Sequence, residues 1–495
     1  MYDKKEFNLL EAPFAPTVES LKTYKCPDWF RDAKFGIWSH WGPQSVPMFG
    51  DWYARNMYVE GSDQYRYHCR KYGHPSVFGY KDVVKLWKAE NFDPAALMDL
   101  YVEAGAKYFV GQAMHHDNFD NFDSAHNPWN SVKVGPMKDV CAMWKKEAKR
   151  HGLPFGLTEH LAASYTWMSA SHGADKRGAF AGVPYDGAAA TPCAGALYRD
   201  NDSELLDYRW YTVNEKYHKD WLRRISDVID KFQPELLYSD GELPFGAYGL
   251  AMVAHLYNTS VRINGFNNAV YNFKQHGKTN DTPGITRIGV LDFERGVSDV
   301  PLEDPWQDDT SMGDWFYNVK DVYKTAEEVI DTLVDIVSKN GNLLMNVTQK
   351  PDGTIDDESR YALKKIGEWL RLNGEGIYGT RPYKIAAEGR TSLAGGAFKE
   401  GKTDFTGGDY RFTQKENENA VFAFRMRAAS EPAVIKTLGR LSEREITDVS
   451  VCGVKSEFAQ KDGALIVNMP TGINMPDGIC SAQTPVCIKA ALKIC

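Results

Sequence analysis

Histidines and carboxylates recur at five places in the first 300 residues, each directly after a short apolar run. The five segments are Ser39-His40-Trp41-Gly42-Pro43, Met114-His115-His116-Asp117-Asn118-Phe119, Thr158-Glu159-His160, Ser239-Asp240-Gly241 and Asp292-Phe293-Glu294-Arg295. Carboxylates and imidazoles can transfer protons or bind a metal ion. A single polar segment indicates little, because exposed strand ends are polar in most proteins. Five in series favour a concave site at one face of the molecule.

The elements that hold these side chains are indicated by short apolar runs that alternate with longer amphipathic stretches. Seven runs predict buried strands, at 34–38, 107–111, 154–158, 235–239, 260–263, 287–291 and 342–347. Apolar residues at helical spacing occur at 94–104, 137–151, 213–231 and 326–339. This alternation predicts an α/β fold with a (β/α)8-like barrel of the TIM type. An open doubly wound sheet is the alternative, but no glycine-rich phosphate loop follows the first run.

A barrel would bring the five polar segments together, because barrel enzymes carry their active sites at the carboxyl ends of the strands. After Arg381-Pro382 the sequence changes to short alternating runs separated by Gly, Asp, Asn and Pro. Such a pattern predicts a β-sandwich. We therefore predict a barrel domain over 1–378 and a C-terminal β-sandwich domain over 379–495.

Composition and charge narrow the class of protein. The chain has 495 residues, which exceeds the roughly 250–300 residues of a single core, so two domains are expected. A formal net charge of -8 without long runs of Lys and Arg disfavours nucleic acid and anionic membranes as partners. The eight cysteines never form Cys-x-x-Cys, which disfavours a zinc ribbon or a dense disulfide framework. No signal-like segment or stretch of about 18 apolar residues occurs, so a cytoplasmic protein is expected unless a leader was removed.

Five motifs of the chain resemble the α-L-fucosidases of glycoside hydrolase family 29. They are Phe35-Gly36-Ile37-Trp38-Ser39-His40-Trp41-Gly42, Ala104-Gly105-Ala106-Lys107-Tyr108, His115-His116-Asp117, Leu236-Leu237-Tyr238-Ser239-Asp240-Gly241 and Gly341-Asn342-Leu343-Leu344-Met345-Asn346-Val347. The resemblance implies a (β/α)-barrel catalytic domain followed by a β-sandwich. It also implies a retaining exo-glycosidase that removes terminal α-L-fucose from oligosaccharides or glycoconjugates, with no cofactor and no metal.

The resemblance implies that Asp240 is the nucleophile and forms a covalent fucosyl-enzyme intermediate. A retaining glycosidase needs a second carboxyl group about 5–5.5 Å away, which first donates a proton and then accepts one. Glu294 is the predicted acid/base, and this role requires a raised pKa in the free enzyme. Glu242 and Glu303 are alternatives for that role. The simpler interpretations are a turn aspartate at 240 and a surface glutamate at 294 paired with Arg295.

For sugar binding, the resemblance implies hydrogen bonds between histidines and hydroxyl groups, and an aromatic ring against the fucose methyl group. The predicted binding residues are His40, Trp41, Asp51, Trp52, His115, His116, Glu159, His160, Trp306 and Trp315. Asp51-Trp52-Tyr53 stands where family members commonly carry Glu-Trp-Tyr, which shortens the carboxylate arm by one methylene.

Three further departures from the family pattern affect the predicted site. The family often has Asn-Asp-Arg after the strand that follows the nucleophile, whereas Ile263 is followed here by Asn264-Gly265-Phe266, which puts an arginine contact in doubt. Trp306-Gln307 stands where many relatives have Trp-Glu. Glu159-His160 replaces an acid followed by Trp, so His160 either binds sugar or packs in the core.

Other functions share parts of this pattern. A metal-dependent hydrolase could place four histidines and Asp240 around Zn²⁺, but adjacent His115 and His116 point in different directions on extended backbone, and His-x-His is absent. A carbohydrate-binding protein without activity would need no pair of carboxylates. A glycosidase for another sugar, such as an α-L-galactoside, would differ at the methyl pocket. The sequence specifies neither the linkage, the aglycone nor the oligomeric state.

Overall fold

The computed structural model describes residues 7, 9–10, 12–187, 210–274, 287–427, 429, 431–439, 445–470 and 483–493. Eight parallel strands close into a barrel in chain order, and two antiparallel sheets follow. The predicted fold class, a TIM-like barrel with a C-terminal β-sandwich, is confirmed.

The barrel strands are β1 (Phe35–Ser39), β2 (Tyr108–Met114), β3 (Phe155–Glu159), β4 (Leu236–Ser239), β5 (Val270–Lys274), β6 (Val290–Asp292), β7 (Trp306–Ser311) and β8 (Gly341–Asn346). The α-helices are α1 (Val18–Leu21), α2 (Asp28–Ala33), α3 (Tyr53–Asn56), α4 (Asp63–Lys71), α5 (Tyr80–Leu86), α6 (Pro94–Glu103), α7 (Val140–Arg150), α8 (Ser164–Trp167), α9 (Glu215–Phe232), α10 (Ala247–Asn264), α11 (Ala326–Ser338), α12 (Asp357–Asn373) and α13 (Lys436–Gly439). Short 3-10 helices occupy Pro43–Ser45, Leu161–Ala163, Met168–His172, Gly374–Gly376 and Glu416–Glu418.

Polar side chains fix where several of the outer helices begin. Asp93 and Asp139 accept hydrogen bonds from backbone amides in the first turns of α6 and α7. Thr325 and Glu328 form a reciprocal capping box at the start of α11. These caps satisfy amides that have no partner within the helix.

The alternation of side chains along the barrel strands decides which residues enter the site. Interior positions hold a core that includes Trp38, Tyr238 and Val290, while the intervening Ile37 and Leu237 pack against the helices. Because side chains alternate with a period of two, positions 40, 240 and 294 continue the interior faces of β1, β4 and β6. The interior register therefore carries these three positions into the mouth of the barrel.

Two predicted element assignments are wrong or incomplete. The run at 260–263 is the end of helix α10 and not a strand. A short apolar run cannot be distinguished from a buried helical segment by periodicity. None of the predicted strand runs covers β5 or β7. Strand β7 reads Trp-Gln-Asp-Asp-Thr-Ser, and all six residues are buried, so its polar composition hid a fully internal strand.

The sandwich pairs a six-stranded sheet with a three-stranded sheet. Its strands are β9 (Arg381–Glu388), β10 (Tyr410–Lys415), β11 (Ala420–Arg425), β12 (Ala433–Ile435), β13 (Ile446–Val451), β14 (Val454–Lys455), β15 (Phe458–Lys461), β16 (Ala464–Val467) and β17 (Val486–Leu492). The larger sheet has the order β14-β13-β17-β11-β10-β9 and the smaller one β12-β16-β15. A separate apolar core that includes Phe412, Val449 and Leu465 lies between them.

The outer face of the larger sheet packs on the barrel helices. Phe424 lies 6.1 Å from Trp369 of α12, measured between ring centroids, and belongs to the main core. Arg411 of β10 forms a buried ion pair with Asp335 of α11 at 2.5 Å. The sandwich is thus fixed to the barrel through apolar and ionic contacts.

The predicted division at 378/379 falls between the last 3-10 helix of the barrel region and β9. It stays a prediction, because a shared core crosses this point of the chain. Among the described residues, no helix is both long enough and apolar enough to cross a membrane.

Candidate active site

The predicted nucleophile, Asp240, lies directly after β4 at the carboxyl end of the barrel. Its side chain is 17% exposed, so the carboxylate reaches the barrel mouth and is not sealed in the core. Its backbone amide donates to the carbonyl of Glu159 at 3.0 Å, which extends the pairing of β4 with β3 by one residue. Gly241 follows with a φ of +124°, a conformation that favours glycine and turns the chain sharply after the carboxylate.

Lys274, the last residue of β5, lies between the two predicted catalytic carboxylates. Its Nζ is 2.6 Å from Asp240 Oδ1 and 2.5 Å from Glu294 Oε2. Asp309 Oδ2 lies 3.8 Å from the same nitrogen. The sequence analysis did not identify this residue, because β5 was not recognised.

This lysine also corrects the predicted loss of a cationic contact. The Asn264-Gly265-Phe266 segment lies at the end of a helix, so it is not the part of the chain that follows the nucleophile strand in the barrel. That place belongs to β5, which ends in Asn272-Phe273-Lys274. A cation therefore does stand at the third position of this motif, as lysine and not arginine. The available signal was the spacing of Val270, Asn272 and Lys274, which occupy every second position, as residues on one face of a strand do.

The shared lysine fixes the separation of the two carboxylates. Asp240 Oδ1 and Glu294 Oε2 both contact Lys274 Nζ. The distance between these two oxygens therefore cannot exceed the sum of the two contact distances, about 5.1 Å. Retaining glycosidases have carboxyl groups about 5–5.5 Å apart, and inverting enzymes about 6.5–9.5 Å. The geometry matches the retaining class.

The environments of the two carboxyl groups push their pKa values in opposite directions. Burial would raise the pKa of Asp240, but Lys274 and the adjacent His160 and His116 hold it well below its ordinary value. Burial raises the pKa of Glu294, and the negative charges of Asp309 and Asp240 add to that effect against the attraction of Lys274. One group is therefore kept ionised and the other favours the protonated form, as an acid and nucleophile pair requires.

His116 contacts two oxygen atoms at the same time. Its Nδ1 lies 2.6 Å from the carbonyl oxygen of His160, and its Nε2 lies 3.1 Å from Asp240 Oδ2. The ring is therefore held between the backbone after β3 and the predicted nucleophile, and it supports the carboxylate at the oxygen that Lys274 does not contact.

Three further histidines line the mouth as neutral rings. Burial lowers the pKa of His40, His115 and His160, and mutual repulsion lowers that of the first two further. The ring centroid of His115 lies 4.9 Å from that of His40 and 4.7 Å from that of His160. His160 Nδ1 is 3.2 Å from Asp240 Oδ2, so His160 belongs to the site and not only to the core. Neutral imidazoles can both donate to and accept from sugar hydroxyl groups.

Aromatic residues form one side of the mouth. Trp315 lies 5.6 Å from His40, and the buried Phe316 lies 4.6 Å from the same ring. Trp52 is 36% exposed and stacks on Trp210, whose centroid is 6.2 Å away. Asp51 directly precedes Trp52. Burial raises its pKa well above the ordinary value, and the negative charges of Asp314, Glu294 and Asp240 add to this effect.

Three predicted binding residues point away from the site. Trp41 is buried in the main core and donates to the carbonyl of Lys350 at 2.9 Å. Trp306 stands at the first position of β7, at the opposite end of the strand from the site, and donates to the carbonyl of Lys339 at 2.8 Å. The alternation of side chains turns Trp41 toward the outer helices, and the direction of β7 places Trp306 far from the mouth.

Glu159 also faces outward, between β3 and helix α9. Its Oε2 accepts a hydrogen bond from Trp221 Nε1 at 3.2 Å. The same oxygen accepts from the backbone amide of Ala162 at 3.2 Å. Glu159 therefore anchors a helix against the barrel and does not line the mouth.

The alternatives for the acid/base are not equally placed. Glu303 is 89% exposed and pairs with Arg287, so it lies outside the site. Glu242 is buried just after the nucleophile, but Glu294 has the contact with Lys274. Arg295 forms its ion pair with Glu400 at 3.8 Å, which disagrees with the simple pairing of Glu294 and Arg295.

Among the described residues, two sets of side chains in the mouth have candidate ligand atoms close enough together to bind one metal ion. Ligand atoms of His40, His115 and His160, and those of His116, His160 and Asp240, lie within 4.8 Å of one another. A dication in the second set would lie beside the Lys274 ammonium, 2.6 Å from Asp240. Charge repulsion disfavours a metal there.

The chain is similar to known proteins over most of its length. A family model described as Alpha-L-fucosidase matches residues 4–375. The rat tissue alpha-L-fucosidase is 29% identical over 390 residues, which cover 76% of this chain and 74% of the rat protein. The human plasma alpha-L-fucosidase is 28% identical over 430 residues, covering 84% and 79%.

Solved structures give the same result. The crystal structure of Thermotoga maritima alpha-fucosidase in complex with fucose is similar with a TM-score of 0.71 and 26% identity. The similarity covers 97% of this chain and 100% of that one. Because the family model spans most of the sequence and the likeness extends over the whole fold, this chain belongs to the α-L-fucosidase family.

Proposed function

We propose that this glycoside hydrolase removes terminal α-L-fucose with retention of configuration, with Asp240 as nucleophile and Glu294 as acid/base. The observation that carries the proposal is the lysine bridge, which sets two carboxylate oxygens no more than about 5.1 Å apart. The substrate is a fucosylated oligosaccharide or glycoconjugate. We also keep the hypotheses of a cytoplasmic location and of a division at 378/379.

In the first step, Asp240 attacks the anomeric carbon while Glu294 protonates the glycosidic oxygen. The bond from Asp240 Oδ to carbon forms as the bond from carbon to the leaving oxygen breaks, and the aglycone departs as an alcohol. Lys274 and His116 keep the nucleophile ionised before the attack. Tyr238, whose hydroxyl lies 3.3 Å from Asp240 Oδ1, orients the carboxylate.

In the second step, Glu294 changes from acid to base. Ester formation removes the negative charge of Asp240, and that charge is one of the causes of the raised pKa of Glu294. The pKa of Glu294 therefore falls in the intermediate, while Lys274 stays beside it and continues to favour its ionised form. Glu294 then takes a proton from water, which attacks the anomeric carbon and releases Asp240. Two inversions give net retention.

The neutral histidines and the aromatic side of the mouth serve the sugar. His40, His115 and His160 exchange hydrogen bonds with ring hydroxyls, since their nitrogens converge on one space. Trp315 and Phe316 provide an apolar wall for the methyl group at C6. An α-L-galactoside carries a hydroxyl at that carbon, and burying it against these rings without a partner costs binding energy.

The decisive experiment follows the first sugar released from an aryl α-L-fucoside by proton NMR. The α-anomer should appear first and mutarotate later. Asp240→Ala should lose about 10³-fold or more in kcat, and added azide should restore turnover with formation of a β-fucosyl azide.

Three results would contradict the proposal. The first is initial release of the β-anomer, and the second is full activity of Asp240→Ala. The third is loss of activity with a chelator that returns with Zn²⁺, which would favour metal-dependent hydrolysis. A matched aryl α-L-galactoside, expected to react more slowly, measures the contribution of the methyl wall.

A further inference from the structure

A segment of the sandwich domain returns to the barrel mouth and pairs with the segment that carries Glu294. This return segment, residues 393–400, lies in the connection between β9 and β10. Three of its amides donate to carbonyls of residues 294–297, namely Gly396 to Val297 at 2.8 Å, Phe398 to Glu294 at 2.8 Å and Glu400 to Arg295 at 3.0 Å. The carbonyl of the proposed acid/base is therefore itself held by the second domain.

The two segments touch backbone to backbone. A Cβ atom on Gly296 would lie 2.1 Å from the carbonyl oxygen of Gly396. Gly396 has a φ of +103°, a conformation that residues with a side chain rarely adopt. Glycine at both positions permits an approach that no larger residue allows.

The Glu400 side chain connects the return segment to the barrel. Its two oxygens accept from Thr310 Oγ1 at 2.9 and 3.0 Å. Lys324 Nζ lies 3.1 Å from Oε2, and Arg295 Nη1 lies 3.8 Å from the same oxygen. The Glu400 side chain is 18% exposed, and those of Lys324 and Arg295 are 20% and 26% exposed, so the three charged groups are shielded from much of the solvent. Glu400 thus joins β7, the start of α11 and the acid/base segment.

Arg295, next to the proposed acid/base, is held in an unusual conformation. Its φ is +46°, in the left-handed region. Its guanidinium lies 4.8 Å from the centroid of Trp315 and donates to the carbonyl of Gly313 at 2.8 Å. Strained backbone persists at functional sites only when surrounding contacts specify it. Glu400 supplies such contacts through its amide and its carboxylate.

We propose that Glu400 is a positioning residue for Glu294, through which the sandwich domain sets the geometry of proton transfer. The inference rests on the proposed role of Glu294. Beyond the three residues of β6, the backbone of strand β7 binds the amides of Phe293 and Arg295, which donate to Gln307 and Asp309 at 2.8 and 2.9 Å. The carbonyls of Glu294 and Arg295 are bound by the return segment. Displacement of a catalytic group by about 1 Å can cost up to about 10²-fold in rate.

The test uses leaving groups that differ in their need for an acid. Dinitrophenolate leaves with little protonation, whereas the alkoxide of a sugar does not leave without it. Glu400→Gln keeps the hydrogen bond from Thr310 and loses the charge opposite Lys324 and Arg295. It should lower kcat/KM about tenfold for a fucosyl disaccharide, but less than about twofold for 2,4-dinitrophenyl α-L-fucoside.

A matched control separates positioning from general stability. Asp331 forms an ion pair with Arg427 at 2.6 Å across the same domain interface and is 11% exposed. Asp331→Asn should lower the melting temperature without changing the ratio of the two substrates. Thr310→Val is a milder second variant in case Glu400→Gln folds poorly, and it should shift the ratio about threefold in the same direction.

Equal losses on both substrates for Glu400→Gln and Thr310→Val, or no loss at all, would overturn the inference. Glu294→Ala, measured in parallel, should show a much larger loss for the disaccharide and rescue by azide with the dinitrophenyl substrate. If Glu294→Ala shows no dependence on the leaving group, the proposed acid/base is wrong and the inference fails with it. If it does and Glu400→Gln does not, only the inference fails.

Discussion

Replacing Lys274 by Met tests whether one buried ammonium sets the protonation of both catalytic carboxyl groups. The substitution removes the charge and keeps much of the apolar stem. Lys274 stabilises the ionised form of Asp240 and of Glu294, so its loss raises both pKa values. The proposed mechanism needs Asp240 ionised and Glu294 protonated in the free enzyme. Both limbs of the pH profile of kcat/KM should therefore move to higher pH.

The size of the shift follows from the distances. The ammonium nitrogen lies 2.6 Å from one carboxylate oxygen and 2.5 Å from the other. At an effective dielectric constant of about 20, unit charges about 4 Å apart interact by about 4 kcal/mol, or about 3 pKa units. Water entering the vacated space and the remaining hydrogen bonds to Asp240 from His116 and His160 offset part of this. We expect each limb to move by about one to two pH units.

The assay is the pH dependence of kcat/KM for an aryl α-L-fucoside, with Lys274→Arg as the matched control. Arginine keeps the charge at the mouth, so its limbs should stay within about half a unit of the wild-type limbs. Unchanged limbs in Lys274→Met would refute the electrostatic role of this residue. An equal shift in Lys274→Arg would show that shape, and not charge, sets the profile.

Further substitutions separate the mouth of the barrel from its supports. Glu159→Gln should keep kcat within about threefold, because its carboxyl group faces Trp221; a loss near 100-fold would return it to the site. Trp306→Phe should lower the melting temperature and leave KM unchanged, whereas Trp315→Ala should raise KM about tenfold, and equal effects on KM would contradict both placements. Burial works against ionisation of Asp409, but hydrogen bonds from Thr406 and Thr391 lower its pKa to about 2. Asp409→Asn should therefore reduce the free energy of unfolding by about 2 kcal/mol near neutral pH. A lowered pKa stabilises the fold above the unfolded value of about 3.9 and less as pH falls toward 2, so the two proteins should converge in acid urea titrations; a constant difference would refute the assignment.

Local sequence patterns determined much of the barrel. Six of the seven predicted strand runs overlap β1, β2, β3, β4, β6 and β8. Buried parallel strands are short apolar runs that end in polar residues, and this pattern needs no knowledge of distant contacts. It drew attention to Asp240, which directly follows such a run, and to Glu294, which lies three residues after the end of another.

The same patterns failed where a buried strand is made of polar residues, and where a short apolar run fits a helix as well as a strand. Gln307 of β7 bonds to Asp292 at 2.8 Å and to Tyr108 at 2.9 Å inside the barrel, so a polar strand is stable there. The apolar residues near 260 belong to a helix of eighteen residues. Missing β5 hid Lys274, the residue that most strongly relates the two carboxylates.

The amino-acid sequence by itself determined the type of fold and the approximate positions of most strands, since these depend on neighbouring residues, and its resemblance to a family suggested the nucleophile. Only the tertiary structure decided which side chain of each segment enters the mouth. His40 enters and Trp41 does not, because strand register turns adjacent residues to opposite faces. It also brought Glu400 to Arg295 from more than 100 positions away, through sheet packing that no local pattern encodes.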